Sequence, residues 1–228
     1  MRIIALSDLH GILPHIKDEG AELMLICGDI VPLSFQSDME LSKWWFETKF
    51  TEWVNALHVD KVVFICGNHD WLGEWDHEWL SYKFSQHTKA TYLHHQQYNY
   101  ISLQDGKEYK IFGTPYCKIF GRWAFMRENE TLEKLYSEIS ENLDILLTHD
   151  APYGVTDICN QGIASIKGHI GNIPLREALL RSQPMYCFHG HLHSSSRDFE
   201  SLNNTKVCNC SVLDEYYDLV YKPIVIDI

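Results

Sequence analysis

One unit recurs five times along this chain and limits what it can fold into: a short apolar run that stops abruptly at Asp, Asn or His. Ile3-Ile4-Ala5-Leu6 leads into Ser7-Asp8-Leu9-His10, and Leu23-Met24-Leu25-Ile26-Cys27 into Gly28-Asp29. Val62-Val63-Phe64-Ile65-Cys66 leads into Gly67-Asn68-His69-Asp70, and Ile145-Leu146-Leu147-Thr148 into His149-Asp150. Met185-Tyr186-Cys187-Phe188 ends in His189-Gly190-His191-Leu192-His193. Apolar runs of this length without alternation are those of strands buried on both faces. The segments between them read largely as helix: residues 39 to 57, 131 to 139 and 174 to 181, the last opened by Asn172 as a cap and Pro174 near the first turn. A hairpin with its turn at Gln104-Asp105-Gly106-Lys107 is expected within residues 91 to 115, and strands in residues 206 to 228. Strands separated by helices make an α/β fold with a parallel or mixed sheet. In such sheets ligands gather beyond the carboxyl ends of the strands, where these five runs deliver their polar residues.

Asp8 and His10, like His191 and His193, are two residues apart, so an extended strand end would point both the same way. Asp29 and Asn68 each follow a glycine, which lets the backbone turn sharply past the strand. Carboxylates, imidazoles and one amide oxygen, without thiolate, suit divalent Mn, Fe or Zn. Seven ligands exceed what one tetrahedral ion needs and are right for two ions that share a carboxylate and clamp a transferring phosphoryl group.

The ordered blocks Asp-x-His, Gly-Asp, Gly-Asn-His-Asp, His and Gly-His-x-His resemble those of the calcineurin-like metallophosphoesterase family. Similarity to its small metallophosphoesterase-domain subgroup extends to Gly113-Thr114-Pro115, to residues 146 to 152 and to Asn209-Cys210-Ser211-Val212, so that it covers nearly the whole chain. The resemblance implies a single domain over residues 1–228, built as a four-layer α/β/β/α sandwich with a binuclear metal site at its edge. It implies that Asp8, His10 and His193 hold one divalent ion, that Asn68, His149 and His191 hold the other, and that Asp29 bridges them. A hydroxide between the ions would then attack phosphorus, with His69 as the general acid and Asn68 also touching a phosphate oxygen. One departure stands out. The protein serine/threonine phosphatases of the family continue Gly-Asp into Asp-Arg-Gly, whereas this chain reads Gly28-Asp29-Ile30-Val31-Pro32-Leu33. The group that orients His69 is therefore unassigned, and a phosphoprotein substrate is disfavoured. Asp70 is adjacent, but neighbours in an extended segment point to opposite sides.

The remaining calls follow from composition and local pattern. The chain has 228 residues, 45% of them apolar and 22% charged, as in a globular protein. Its net charge of −12 argues against an extended nucleic-acid footprint and hence against a nuclease, although bound cations would offset that charge locally. A non-catalytic scaffold would have shed ligands or His69, and none is missing. No secretory signal and no membrane-spanning apolar stretch are visible, and Cys27, Cys66 and Cys187 sit in apolar runs, so a reducing cytoplasm is expected. The substrate expected is a small phosphomonoester or phosphodiester, with a cyclic nucleotide entering by family analogy. His169, in Lys167-Gly168-His169-Ile170-Gly171, is a further candidate substrate contact. His94-His95 is expected on the solvated face of a strand. The aromatic stretch from Trp71 to Trp79, together with Tyr116, Phe120, Trp123 and Phe125, is expected to pack the core rather than to stack on a base.

Overall fold

The computed structural model describes all residues except 18, 88 and 160–167, so Lys167 lies outside the described residues. Its two main sheets follow from the apolar runs. The first has the order Ile224–Asp227, Arg2–Leu6, Leu23–Cys27, Lys61–Ile65, Ala90–Tyr92, parallel except for the antiparallel edge strand Ile224–Asp227. The second has the order Glu200–Leu202, Thr205–Asn209, Tyr186–His189, Ile145–Thr148, Glu108–Thr114, Gln96–Ile101, with a parallel centre and antiparallel edges.

Side-chain alternation turns these strands into layers. Ile3, Ala5, Leu23, Leu25, Cys27, Val63 and Ile65 project from the first sheet onto Ile111, Ile145, Leu147 and Phe188 of the second. The alternate residues Ile4, Leu6, Met24, Ile26, Val62 and Phe64 pack outward against Phe46, Phe50, Val54, Leu80 and Phe84 of the helical segments on that side. Leu146, Cys187 and Val207 face the other way, onto Leu132 and Tyr136 of the helix Asn129–Ser137 and Leu175 and Leu179 of the helix Ile173–Ser182. Three cores between four layers make the expected α/β/β/α sandwich. Each large apolar side chain so buried contributes about 1.5–3 kcal/mol.

The helix expected over residues 39 to 57 is one helical run with a π turn inside it: Met39–Trp45, Phe46–Phe50, Thr51–Ala56. The wider turn brings Phe46, Phe50 and Val54 onto the core and leaves Leu41 and Trp44 at the surface, against the simple helical stripe. Asn172 caps its helix as expected, accepting from the Leu175 N–H at 3.0 Å. Ala90–Tyr92 belongs to the first sheet and the hairpin to the second, so His94 and His95 lie in the crossing between sheets. They are not a solvated strand face. His94 stacks on His77 with ring centroids 4.1 Å apart, and His95 is held by Thr114 Oγ1 and the Leu135 carbonyl. The tail is only partly strand. Between Thr205–Asn209 in the second sheet and Ile224–Asp227 in the first, residues 210 to 223 pass over the carboxyl ends of the central strands, with a bridge from Ser211 to Ser7. No disulfide joins any of the described cysteines. No described helix is long and apolar enough to cross a membrane.

Candidate metal centre

The strand Arg2–Leu6 ends two residues before Asp8, and there the backbone leaves the extended conformation. Asp8 (φ 57°), His10 (φ 41°), Asp29 (φ 53°) and His191 (φ 71°) all adopt the left-handed region. The side chains converge, but not by strand alternation. Turns that cost about 1–3 kcal/mol per non-glycine residue aim them inward, and such strain persists where surrounding structure holds it. The turns pack tightly against one another. A Cβ on Gly67 would lie 2.3 Å from Asp29 Oδ1, and one on Gly190 would lie 2.4 Å from Asp8 Oδ2, so close approach explains both glycines.

Two groups of donor atoms lie close enough to share an ion: Asp8, His10 and His193, and Asp8, Asp29 and His149. Asp8 is common to both groups, and Asp29 Oδ2 of the second stands 3.3 Å from His149 Nε2 and 3.5 Å from His10 Nε2 of the first. Asp8 Oδ1 is 3.3 Å from His193 Nε2, and Asn68 Oδ1 is 2.9 Å from His149 Nε2. The His191 ring lies 5.1 Å from that of His149 and belongs to neither group, while its backbone N–H donates to Asp8 at 3.0 Å. His69 sits beside His10, ring centroids 5.0 Å apart, and its backbone N–H donates to Asp29 Oδ1 at 2.8 Å. His169 is engaged elsewhere: its Nδ1 bonds Asp157 Oδ1 at 2.5 Å and its ring faces Tyr153.

Whether divalent cations fit is answered by His10. Among the described residues its two ring nitrogens are buried without a hydrogen-bond partner, an arrangement that costs about 1–3 kcal/mol per group unless something else satisfies them. Burial also lowers its pKa to about 4, and that of His191 to about 3, so both imidazoles are neutral at pH 7. Burial opposes charge on His149 too, but the Asp29 carboxylate overrides it and raises that pKa to about 10. Burial likewise works against the Asp29 and Asp8 carboxylates, and the neighbouring histidines hold both below the usual range. Oxygen and imidazole donors around a negatively charged centre suit divalent transition metals.

The supporting contacts are mostly ones that sequence reasoning missed. The carboxamide oxygen of Gln36 accepts from His69 Nδ1 and fills the orienting role left unassigned. Nothing in the segment Ser34-Phe35-Gln36-Ser37 announces this. Asp70 turns away from His69 as expected, and accepts from the backbone N–H groups of Ile30 (2.9 Å), Val31 (3.0 Å) and Gly67 (2.9 Å), pinning two ligand loops together. Burial, and then the charge of Asp29, push its pKa up to about 7. From the tail, Ser211 donates to Asp8 Oδ2 at 2.6 Å, and the Asp214 carbonyl accepts from His193 Nδ1 at 2.8 Å. Of the aromatics expected in the core, Phe125 is buried and Tyr116 packs against core residues. Phe120 and Trp123 instead border the cluster, on His191 and His69.

Comparison with known proteins agrees with this geometry. The human and mouse proteins called metallophosphoesterase domain-containing protein 1 are each 26% identical over the whole chain, which spans 71% of their length. Among solved structures, one from Thermus thermophilus superposes with a TM-score of 0.63 at 14% identity, covering 91% of this chain and 88% of the other. The phosphopantetheinyl hydrolase of Mycobacterium tuberculosis superposes with a TM-score of 0.54 at 11% identity, covering 94% and 90%. These likenesses establish the fold. The family model for calcineurin-like phosphoesterases matches residues 1–195, and the chain belongs to that family.

Proposed function

We propose that this protein hydrolyses a small phosphomonoester or phosphodiester with two divalent metal ions. The observation that carries the reading is Asp29 set between His10 and His149, with both His10 nitrogens unpartnered in the buried cluster. Asp8, His10 and His193 would hold one ion, Asn68, His149 and His191 the other, with Asp29 shared. When bound, the ions supply Lewis-acid charge for the phosphoryl oxygens and lower the pKa of water.

The chain's own residues do the rest. Asp29 fixes the His69 backbone through its other oxygen, so the bridging carboxylate and the acid move as one unit. With Nδ1 engaged by Gln36, His69 has Nε2 left to protonate a departing oxygen. The Cys27 carbonyl accepts from His149 Nδ1 and the Asp214 carbonyl from His193 Nδ1, leaving each Nε2 as the coordinating atom. The buried thiols of Cys27, Cys66 and Cys187 accord with a reducing compartment, and we place the protein in the cytoplasm.

The test is hydrolysis of bis-p-nitrophenyl phosphate and p-nitrophenyl phosphate with Mn²⁺, comparing wild type with Asp29→Ala and His69→Ala. Turnover abolished by the first change and reduced by the second is expected, and the ratio of the two substrates reads diester against monoester preference. A protein that binds no metal would overturn the proposal. Metal bound without turnover of either ester would favour the scaffold reading.

A further inference from the structure

Three aromatic side chains border the histidine cluster from two parts of the chain. The loop between the short strands Cys117–Lys118 and Met126–Arg127 carries Phe120, whose ring is 4.9 Å from His191, and Trp123, whose ring is 4.5 Å from His69. From the tail, the Tyr217 ring lies 4.9 Å from His10 and 5.2 Å from His193. Phe120 is 52% exposed and Tyr217 38%, so neither is consumed by the core. Exposed rings are ordinary when scattered, but these share one site.

Both supports are firm. Beside Trp123, the Ala124 N–H donates to the Asn68 carbonyl at 3.1 Å, and the Phe125 N–H to Glu74 Oε2 at 2.8 Å. Tyr217 has φ 64°, a strained conformation for a bulky residue, and its N–H bonds the Asp214 carbonyl at 3.0 Å, the same carbonyl that accepts from His193.

We propose that Phe120, Trp123 and Tyr217 form an aromatic mouth that selects phosphodiesters whose retained ester group carries a flat π system, an aryl ring or a nucleobase. This rests on the phosphoesterase reading above and deepens it by naming the substrate class. A ring stacked on an aromatic side chain gains about 1–3 kcal/mol, and the gain depends on the π face rather than on hydrogen-bond pattern. Rings already held in place give up little side-chain freedom when the ligand docks.

The experiment holds the leaving group constant and varies only the group that stays on phosphorus. Benzyl p-nitrophenyl phosphate, thymidine 5′-(p-nitrophenyl phosphate) and methyl p-nitrophenyl phosphate all release p-nitrophenolate and retain alkoxy groups of similar electronic character. In each, a P–O bond to water forms, the bond to p-nitrophenolate breaks, and the second ester remains. With Mn²⁺ supplied, kcat/KM for at least one π-bearing ester should exceed that for the methyl ester by about fivefold or more, a conservative share of the stacking range. The better of the two identifies aryl or nucleobase. Phe120→Ala and Tyr217→Ala should each lower that ratio, mainly through KM, while Tyr82→Ala, at an exposed position outside the site, should leave it unchanged. Equal kcat/KM on all three esters would sink the inference and leave the phosphoesterase reading standing. So would variants that slow all three alike, which is the mark of a shield over the histidines. No turnover of any ester with metal bound would remove the phosphoesterase reading and the inference with it.

Discussion

The two ends of the sheets solve opposite problems. At the amino ends of the strands, Glu22 is buried, yet its carboxylate accepts from Tyr100 Oη (2.7 Å), Ser102 Oγ (2.9 Å), the Gln104 N–H (3.2 Å) and the Leu103 N–H. That one side chain ties the first sheet to the hairpin of the second. Nearby, Asp105 accepts from Tyr109 Oη at 2.7 Å, and the left-handed turns of this end fall on Gly20 and Gly106 and also on Asn142, Gln183 and Asn203. At the carboxyl ends the same backbone conformation is carried by Asp8, His10, Asp29 and His191, and the His10 nitrogens find no hydrogen-bond partner among the described residues. Glu22 at the foot is fully hydrogen-bonded, whereas His10 at the head is not, and the head sets its candidate metal ligands on strained turns.

That contrast can be broken by experiment. The largest effect should come from Asp29→Asn, which keeps the size and the left-handed tolerance but removes the charge. Turnover on bis-p-nitrophenyl phosphate is expected to fall about 10³-fold, the scale of losing a preorganised electrostatic contact. The melting temperature of the metal-free protein should also fall, because a carboxylate held below its usual range by neighbouring histidines contributes stability at pH 7; no change would show that the charge serves function alone.

Glu22→Ala is the mirror case. Stranding four donors, those of Tyr100 and Ser102 buried, should cost about 2–3 kcal/mol in urea unfolding, with specific activity unchanged below the transition. Its pH signature has a definite sign. Burial works against the Glu22 carboxylate, and the hydrogen bonds led by Tyr100 outweigh it, holding the pKa below the ordinary value. Its stabilisation is therefore complete above the unfolded-state pKa of about 4.3 and is lost as pH falls through the lower folded value. Stability curves of wild type and Glu22→Gln should converge on that acid side; parallel curves would mean that the carboxylate charge is irrelevant.

Gln36→Ala sharpens the comparison at smaller scale. A loss of about tenfold in kcat on esters with poor leaving groups is expected, with recovery in Gln36→Glu and no change in melting temperature. Uniform loss across leaving groups would mean that Gln36 does not act through the acid. Last, Arg2→Gln removes an exposed two-point pair with Asp227 (2.9 and 3.0 Å) and should shift the melting temperature little, and not at all in high salt.

How much of this the sequence disclosed follows from how far each feature reaches along the chain. Asp8, Asp29, Asn68 and His149 were legible because each ends an apolar run, and burial on both strand faces leaves the carboxyl end as the one place for a polar side chain. The layers were legible for the same reason, through the family resemblance and the unalternating runs. Gln36 and Asp214 were not, because each acts through one contact made by an irregular segment, and such segments carry no period. The left-handed turns at Asp8 and His10 were missed because alternation assumes an extended backbone. The π turn at Phe46–Phe50 was missed because a 3.6-residue period cannot register one inserted residue.

The contacts of Asp8 carry a consequence in time. Its carboxylate is held by the His191 backbone and by Ser211, which lie 183 and 203 residues further along. At a synthesis rate of 5–20 residues per second, about 10–40 s separate the emergence of Asp8 from that of Ser211. For that interval the strands Arg2–Leu6, Leu23–Cys27 and Lys61–Ile65 can already pair with one another, while the first carboxylate of the cluster waits for its partners. The candidate metal cluster thus closes only once Ser211 has emerged, and the nascent chain passes that interval without it.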